Sequence, residues 1–126
     1  MGAGSFGWAR SVRRGDIHLV DFEPIRGSEA NKTRPAVVVS NDQANATAER
    51  LGRGVVTVVP LTSNTQRVAS FQVLLESAVT GLNRNSKAQI EQVRAVAIER
   101  VGRRVGSVPR GLVPQLDAAI RLHLAL

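Results

Sequence analysis

Residues 34–40 read Arg-Pro-Ala-Val-Val-Val-Ser, in which residues 35–39 form an unbroken apolar run that begins with a proline. β-Branched residues in succession favour an extended strand, and the lack of alternation with polar residues is typical of a strand buried on both faces. Proline cannot donate to a sheet ladder, so it is tolerated only at a margin, where Pro35 stands. The run therefore predicts a central strand that begins at Arg34.

Further short strands are predicted on both sides of this run. Residues 54–61 (Gly-Val-Val-Thr-Val-Val-Pro-Leu) repeat the buried pattern and lead into a polar loop that begins at Thr62. Residues 23–33 contain turn formers and charges without an apolar pair, and are predicted to be an exposed loop. The remaining candidates, five or six strands in all, are residues 16–22, 71–75, 86–90 and 95–99.

Two helices complete the predicted architecture. Residues 43–51 form a short helix that Asn41 or Asp42 caps and Gly52 ends. Residues 114–126 carry apolar side chains three and four positions apart, which is typical of an amphipathic helix. The expected fold class is therefore mainly β with helices, a small, strongly bent barrel against which the C-terminal helix packs.

Length and composition indicate one domain. A chain of 126 residues, 43% of them apolar, can bury a single core, which we expect in residues 13–126. Residues 1–12 are rich in glycine, serine and alanine without periodicity, and are interpreted as a poorly packed leader or appended segment. No run approaches the roughly 20 apolar residues that span a bilayer. A cytoplasmic protein without a membrane partner is expected.

The net charge of +7 indicates a polyanionic partner, nucleic acid before others. Arginine supplies most of the cations, and its planar fork suits phosphate and base edges, although an arginine excess also follows from genome base composition. Aromatic residues make up only 3% of the chain, which disfavours base-stacking platforms. With no cysteine and two histidines, neither a metal site nor a cofactor is expected.

The common catalytic motifs are missing from the sequence, and each histidine is interpreted as structural or exposed. What remains is Arg34, which begins one buried strand, and Thr62, which follows another. If those strands are neighbours, a guanidinium and a hydroxyl meet at a rim and can stabilise charge on a phosphate undergoing transfer. Taken singly, each residue is better explained as an ordinary residue at the end of a strand than as a catalytic one.

Several motifs, taken together and in order, resemble the MazF/PemK toxin family. They are Arg-Gly-Asp at 14–16, Val-Asp-Phe at 20–22, Gly-Ser-Glu at 27–29, Arg-Pro-Ala-Val-Val-Val-Ser at 34–40, Val-Pro-Leu-Thr-Ser at 59–63 and Glu-Gln-Val-Arg at 91–94. The resemblance covers residues 13–126. It implies an SH3-like barrel with a C-terminal helix, the fold of the CcdB, Kid and MazF toxins.

The resemblance also implies an activity and a set of site residues. A metal-independent, sequence-selective endoribonuclease would cut single-stranded RNA through the ribose 2′-hydroxyl, leaving 2′,3′-cyclic phosphate and 5′-hydroxyl ends. Arg34 and Thr62 would be catalytic, and Glu29, Ser63 and Gln66 would contact RNA. The implied partners are a second copy of the chain, in a homodimer, and a cognate MazE-like antitoxin with an acidic tail.

Two alternatives remain open from the sequence. A CcdB-like toxin has the same fold but binds DNA gyrase without chemistry, and fold alone does not separate the two activities. A non-catalytic RNA-binding module would account for the charge but not for the pairing of Arg34 with Thr62.

Overall fold

The two apolar runs predicted to be buried form neighbouring strands of one antiparallel sheet. A computed structural model describes residues 11–22 and 33–126, and these form a seven-stranded sheet and three α-helices. The strands are β1 (Asp16–Asp21), β2 (Thr33–Val38), β3 (Val55–Thr62), β4 (Gln72–Leu75), β5 (Ser86–Gln89), β6 (Arg94–Ala97) and β7 (Val101–Ser107). The helices are α1 (Asp42–Leu51), α2 (Ser77–Thr80) and α3 (Val113–Leu124), with 3₁₀ turns at Ile90–Gln92, Ile98–Arg100 and Arg110–Leu112.

The strand order is β4-β5-β3-β2-β1-β7, and β6 pairs separately with β3. The first half of β3 pairs with β6, while its last two residues pair with β5, so β3 belongs to two differently directed parts of the sheet. This division bends the sheet. The fold class expected from the sequence, mainly β with a C-terminal helix, is confirmed.

The sheet is not closed by hydrogen bonds between its two end strands, β4 and β7, within the described residues. The end of α2 lies against β7 instead: a Cβ added at Gly106 would stand 2.5 Å from the carbonyl oxygen of Thr80. Only glycine allows the two backbones to approach this closely. Gly106 is therefore the residue that brings the two ends of the bent sheet together.

Two apolar clusters cover the two faces of the sheet. One lies under α1 and includes Val20, Val38 and Val58, and the other lies under α3 and includes Ile17, Val59 and Leu116. Both faces of β2 and β3 are thus covered, which is why their sequences are continuously apolar. Each such side chain contributes about 1.5–3 kcal/mol when it is fully buried.

Helix α1 begins and ends as predicted. The side-chain oxygen of Asn41 accepts a hydrogen bond from the backbone N–H of Ala44 at 2.8 Å, and Gly52 ends the helix in the left-handed conformation with φ 68°. Among the helices of the described residues, none combines the length and apolarity that a membrane crossing requires.

The structure differs from the prediction at three points. Val12, predicted to lie in the leader, is 3% exposed in the core cluster under α1. Thr62, predicted to begin a loop, is the last residue of β3. Strand β7 and the short helix α2 were not predicted, because β7 contains two glycines and two arginines without apolar alternation and α2 has only four residues.

Candidate active site

Arg34 and Thr62 lie opposite each other on neighbouring strands. The register of β2 with β3 pairs Ala36 with Pro60, and continuing it by two residues sets Arg34 across from Thr62. On its other side Thr62 pairs with Lys87 of β5. Directly opposite residues in a sheet project from the same face. The sheet therefore presents a row of three polar residues, two of them cationic, across three strands.

The guanidinium of Arg34 is held by neutral acceptors. Its Nη2 donates to the side-chain oxygen of Gln89 at 2.9 Å and to the carbonyl oxygen of Leu61 at 3.3 Å. A guanidinium has five N–H donors, and both of these bonds use Nη2. Its charge is thus not neutralised by a described residue, and Nε and Nη1 remain to bind an anion.

Thr62 is oriented by the turn that follows it. Its hydroxyl oxygen accepts a hydrogen bond from the backbone N–H of Asn64 at 3.2 Å. Because the oxygen acts as acceptor in this bond, the hydroxyl proton is left to donate elsewhere. Half-buried at the end of β3, Thr62 has a side chain fixed by the sheet as well as by the turn.

Arg34, Thr62 and Ser63 line an open groove of about 1220 Å³. One wall consists of residues from β1, β2 and β3. The other, the far wall, consists of residues 80–84 and Ser86, from the end of α2 to the start of β5, together with residues 103–107 of β7. Four arginines line the groove, and its described lining residues include no aspartate, glutamate or histidine. The arginines are Arg34, Arg84, Arg103 and Arg104. Such a groove attracts polyanions.

Lys87, the third residue of the row, ties down the loop between β3 and β4. Its ammonium group donates to the carbonyl oxygen of Arg67. Residues 63–71 begin directly after Thr62, so this bond fixes the loop relative to the strand that carries Thr62. Lys87 therefore connects the end of the groove that contains Thr62 to the loop at residues 63–71.

The predicted site residues are only partly brought together. Arg34, Thr62 and Ser63 line the groove, whereas Gln66 is exposed on the adjoining loop and is not among the lining residues. Glu29 lies outside the described residues. Gln89 and Lys87 were not predicted from the sequence, because their relation to Arg34 and Thr62 depends on the pairing of β5 with β3. The Arg-Arg pair at 103–104 is the one feature of the sequence that indicates the positive charge of the far wall.

The two histidines lie away from this groove. His18 is fully buried and its Nδ1 is 2.9 Å from the carbonyl oxygen of Gly102, which is a structural contact between β1 and β7. The ring of His123 lies 6.0 Å from that of Phe71. No cluster of three or more aspartate, glutamate or histidine residues suited to a metal ion is present in residues 11–22 and 33–126.

This arrangement of groove, strand row and bent sheet agrees with a family match. The model of the PemK-like, MazF-like toxins of type II toxin–antitoxin systems matches residues 13–124. The chain therefore belongs to that toxin family.

One relative supports the family assignment, and two solved structures support the fold. The chain is 60% identical over 115 residues to endoribonuclease MazF9 of Mycobacterium tuberculosis, covering 91% of this chain and 98% of that relative. The solved structure of the M. tuberculosis toxin MazF-mt6 is similar in fold, with a TM-score of 0.70 and 24% identity over 88% of this chain and 97% of that one. A mycobacterial endoribonuclease in complex with its cognate antitoxin has a TM-score of 0.69 at 19% identity, over 90% of this chain and 95% of that one.

Proposed function

We propose that this chain, an endoribonuclease of the MazF class, cuts single-stranded RNA at selected sequences without a metal ion. The observation that carries the proposal is the placement of Arg34 and Thr62 opposite each other at one end of an arginine-lined groove. A guanidinium anchored through one nitrogen and a hydroxyl with an available proton together make a site for a phosphate.

The reaction is an attack within the RNA strand. The ribose 2′-oxygen bonds to the adjacent phosphorus, the bond from phosphorus to the 5′-oxygen breaks, and the products carry a 2′,3′-cyclic phosphate and a 5′-hydroxyl. The 2′-hydroxyl loses its proton and the 5′-oxygen gains one; we assign both transfers to water, because the described groove lining has no carboxylate or imidazole.

Arg34 has the role of charge stabiliser. As phosphorus becomes five-coordinate, negative charge grows on its non-bridging oxygens, and Nε and Nη1 of Arg34 donate to them. Thr62 donates its hydroxyl proton to a phosphate oxygen and so holds the phosphorus against Arg34. Because both side chains are fixed by hydrogen bonds before RNA binds, little reorganisation is needed.

RNA bases are selected beside this centre. We assign Ser63, which lines the groove, and Gln66, on the loop that Lys87 ties down, to contacts with the bases. Glu29 completes the set of RNA-contacting residues, as the family resemblance implies. Residues that recognise a ligand commonly lie on loops that a rigid sheet holds in place.

Membership of the toxin family and the charge of the groove support a set of partners. We propose that the chain acts in the cytoplasm as a homodimer, through the single domain expected in residues 13–126. We further propose that a MazE-like antitoxin neutralises it by laying an acidic, extended segment along the groove, where carboxylates replace RNA phosphates. The mycobacterial endoribonuclease of the same fold is described with its cognate antitoxin, which supports a partner of this kind.

The test is cleavage of a long single-stranded RNA in the presence of EDTA, with the ends mapped by primer extension. We expect cuts at a recurring short sequence and 2′,3′-cyclic phosphate ends. A substrate with one 2′-deoxyribose at the mapped position should remain whole, because it lacks the nucleophile. Cleavage of that substrate, or cleavage that requires a divalent cation, contradicts the proposed reaction.

A further inference from the structure

The far wall of the groove carries positive charge that the cleavage site does not use. Of the four lining arginines, Arg104 forms an ion pair with Asp16 at 3.3 Å, and Arg34 belongs to the proposed active site. Arg84 and Arg103 are exposed and form no ion pair with any of the described residues. Two uncompensated guanidinium groups in one groove repel each other unless an anion lies between them.

Two rigid segments carry these arginines. The backbone around Arg84 is held because the Ser86 hydroxyl donates to the Arg84 carbonyl oxygen at 3.2 Å and the Asn85 side chain accepts from the Ser77 N–H at 2.8 Å. Arg103 is part of β7. The close approach of Thr80 to Gly106 sets the two segments side by side. Both arginines are therefore presented by fixed backbone, as an anion site requires.

The far wall is separate from the Arg34 position. Strand β1 lies between β2, which carries Arg34, and β7, which carries Arg103. Neighbouring strands are about 4.8 Å apart, so the backbones of β2 and β7 are separated by about 10 Å. A phosphate held between Arg34 and Thr62 thus leaves Arg84 and Arg103 available for another phosphate of the same strand.

We propose that Arg84 and Arg103 form a second phosphate-binding position, which holds a backbone phosphate of the RNA on one side of the cut. The proposal rests on the proposed function, because it assigns a second contact to the same RNA. An arginine pair of this kind binds the backbone irrespective of base, so it sets the length of RNA needed for efficient cleavage rather than the sequence cut.

The experiment compares RNAs that share the mapped cut site but differ in extent. One RNA ends one nucleotide beyond the cut on each side, a second is extended on the 5′ side and a third on the 3′ side. Binding is measured with a 2′-deoxyribose at the cut position, and cleavage with the ribose. The proteins are the wild type, the double variant Arg84→Gln/Arg103→Gln, and Arg53→Gln, which removes one exposed arginine outside the groove lining.

The wild type should bind one of the two extended RNAs more tightly than the shortest RNA. The double variant should lose that advantage, with roughly tenfold weaker binding to the extended RNA, in line with the loss of a charge-assisted hydrogen bond. For that RNA, the slope of the logarithm of the binding constant against the logarithm of the salt concentration should fall in magnitude by about 0.7, the value for one phosphate contact on a single strand. Arg84→Lys/Arg103→Lys should restore part of the affinity, and Arg53→Gln should behave as wild type.

Three outcomes overturn the proposal. Unchanged binding in the double variant removes these arginines from RNA contact. An equal loss for all three RNAs assigns them to the general field of the protein or to the cleavage site. If the same proteins are titrated with a poly-glutamate peptide, and the double variant loses affinity for that peptide but not for RNA, the arginines belong to a protein partner. If the wild type cuts no RNA, the proposed function fails and no cut site is mapped; binding of oligouridylates of increasing length then tests the second position, because the double variant should bind only the longer ones more weakly than the wild type does. Cleavage by the wild type with no difference between the two proteins in binding overturns the second position alone.

Discussion

Arg14 and Arg34 make the same number of described side-chain hydrogen bonds in two different regions of the molecule. Arg14, just before β1, donates to the carbonyl oxygen of Val39 and to the carboxylate of Asp117 in α3, each at 2.9 Å. These three residues are called the seam. In the groove, Arg34 donates to the carbonyl oxygen of Leu61 and to the amide oxygen of Gln89. The partner is an acid in one region and neutral in the other.

This difference separates a structural arginine from one suited to chemistry. Asp117 neutralises Arg14, which leaves no net attraction for a further anion at the seam. Gln89 orients Arg34 equally well without neutralising it, so its charge remains available to a phosphate. Neutral acceptors around the guanidinium are therefore the feature that distinguishes Arg34 from Arg14.

The largest effect should come from Arg34→Ala. Removal of a charge stabiliser from the transition state should lower kcat by about 10²–10³-fold. Stability should change little, because the side chain is exposed and its described bonds are to neutral groups. Cleavage rates of the mapped RNA and thermal melting measure the two effects, with Arg53→Ala as the matched control. Cutting at the wild-type rate would remove Arg34 from the mechanism.

Thr62→Val should have the next largest effect. Valine keeps the volume of threonine and deletes the hydroxyl, so the loss is one hydrogen bond to a charged phosphate, which corresponds to roughly 10–100-fold in rate. RNA affinity should stay within about tenfold, a difference of about 1.4 kcal/mol. Single-turnover cleavage together with binding to the 2′-deoxy RNA separates the two quantities. Equal losses in both would make Thr62 a binding residue only.

The sequence predicts the strand side of the groove well because its signals are local. The apolar runs of β2 and β3 identify two buried strands, and their ends at Arg34 and Thr62 are readable without knowing how the strands pair. Gln89 and Lys87 belong to a strand of four residues with alternating burial, and their role depends entirely on which strand β5 pairs with. That choice is made by contacts distant in sequence, which local patterns do not record.

The far wall was not predictable for a different physical reason. Strand β7 is an edge strand in which Gly102 and Gly106 replace the side chains that would mark a strand, and its pairing with β1 contains register shifts. Its extended conformation is imposed by β1 and by the contact with Thr80 rather than by its own residues. Arg103 and Arg104 were consequently visible only as charge.

Substitutions at Gln89 test directly whether Arg34 needs a neutral hydrogen-bond acceptor. Gln89→Leu removes the oxygen that orients Arg34 and should lower kcat about tenfold with little change in KM, the loss of a single hydrogen bond that positions the group. Gln89→Glu keeps the oxygen but adds a negative charge beside Arg34. In this variant Arg34, like Arg14, has a carboxylate as its partner.

The Gln89→Glu variant should therefore cut RNA at least as slowly as Gln89→Leu, and should also bind it more weakly, because the added carboxylate repels phosphate. Steady-state kinetics of both variants on the mapped RNA provide the comparison. If Gln89→Glu cuts as fast as the wild type, orientation alone matters at this position and the contrast between the two regions does not explain the chemistry.

The smallest effect should come from the seam. The side chains of Arg14 and Asp117 are 31% and 44% exposed, and an ion pair in such surroundings contributes at most about 1 kcal/mol. Arg14→Met keeps the aliphatic stem and loses the ion pair and the bond to Val39, so the free energy of unfolding should fall by about 1 kcal/mol. Urea denaturation measures this change, and Asp117→Asn completes a double-mutant cycle. Because neither Arg14 nor Asp117 lines the groove, cleavage by Arg14→Met should equal that of the wild type, the reverse of Arg34→Ala. A loss of cleavage without a loss of stability would mean that Arg14 serves the groove as well, and that an acidic partner does not mark an arginine as structural.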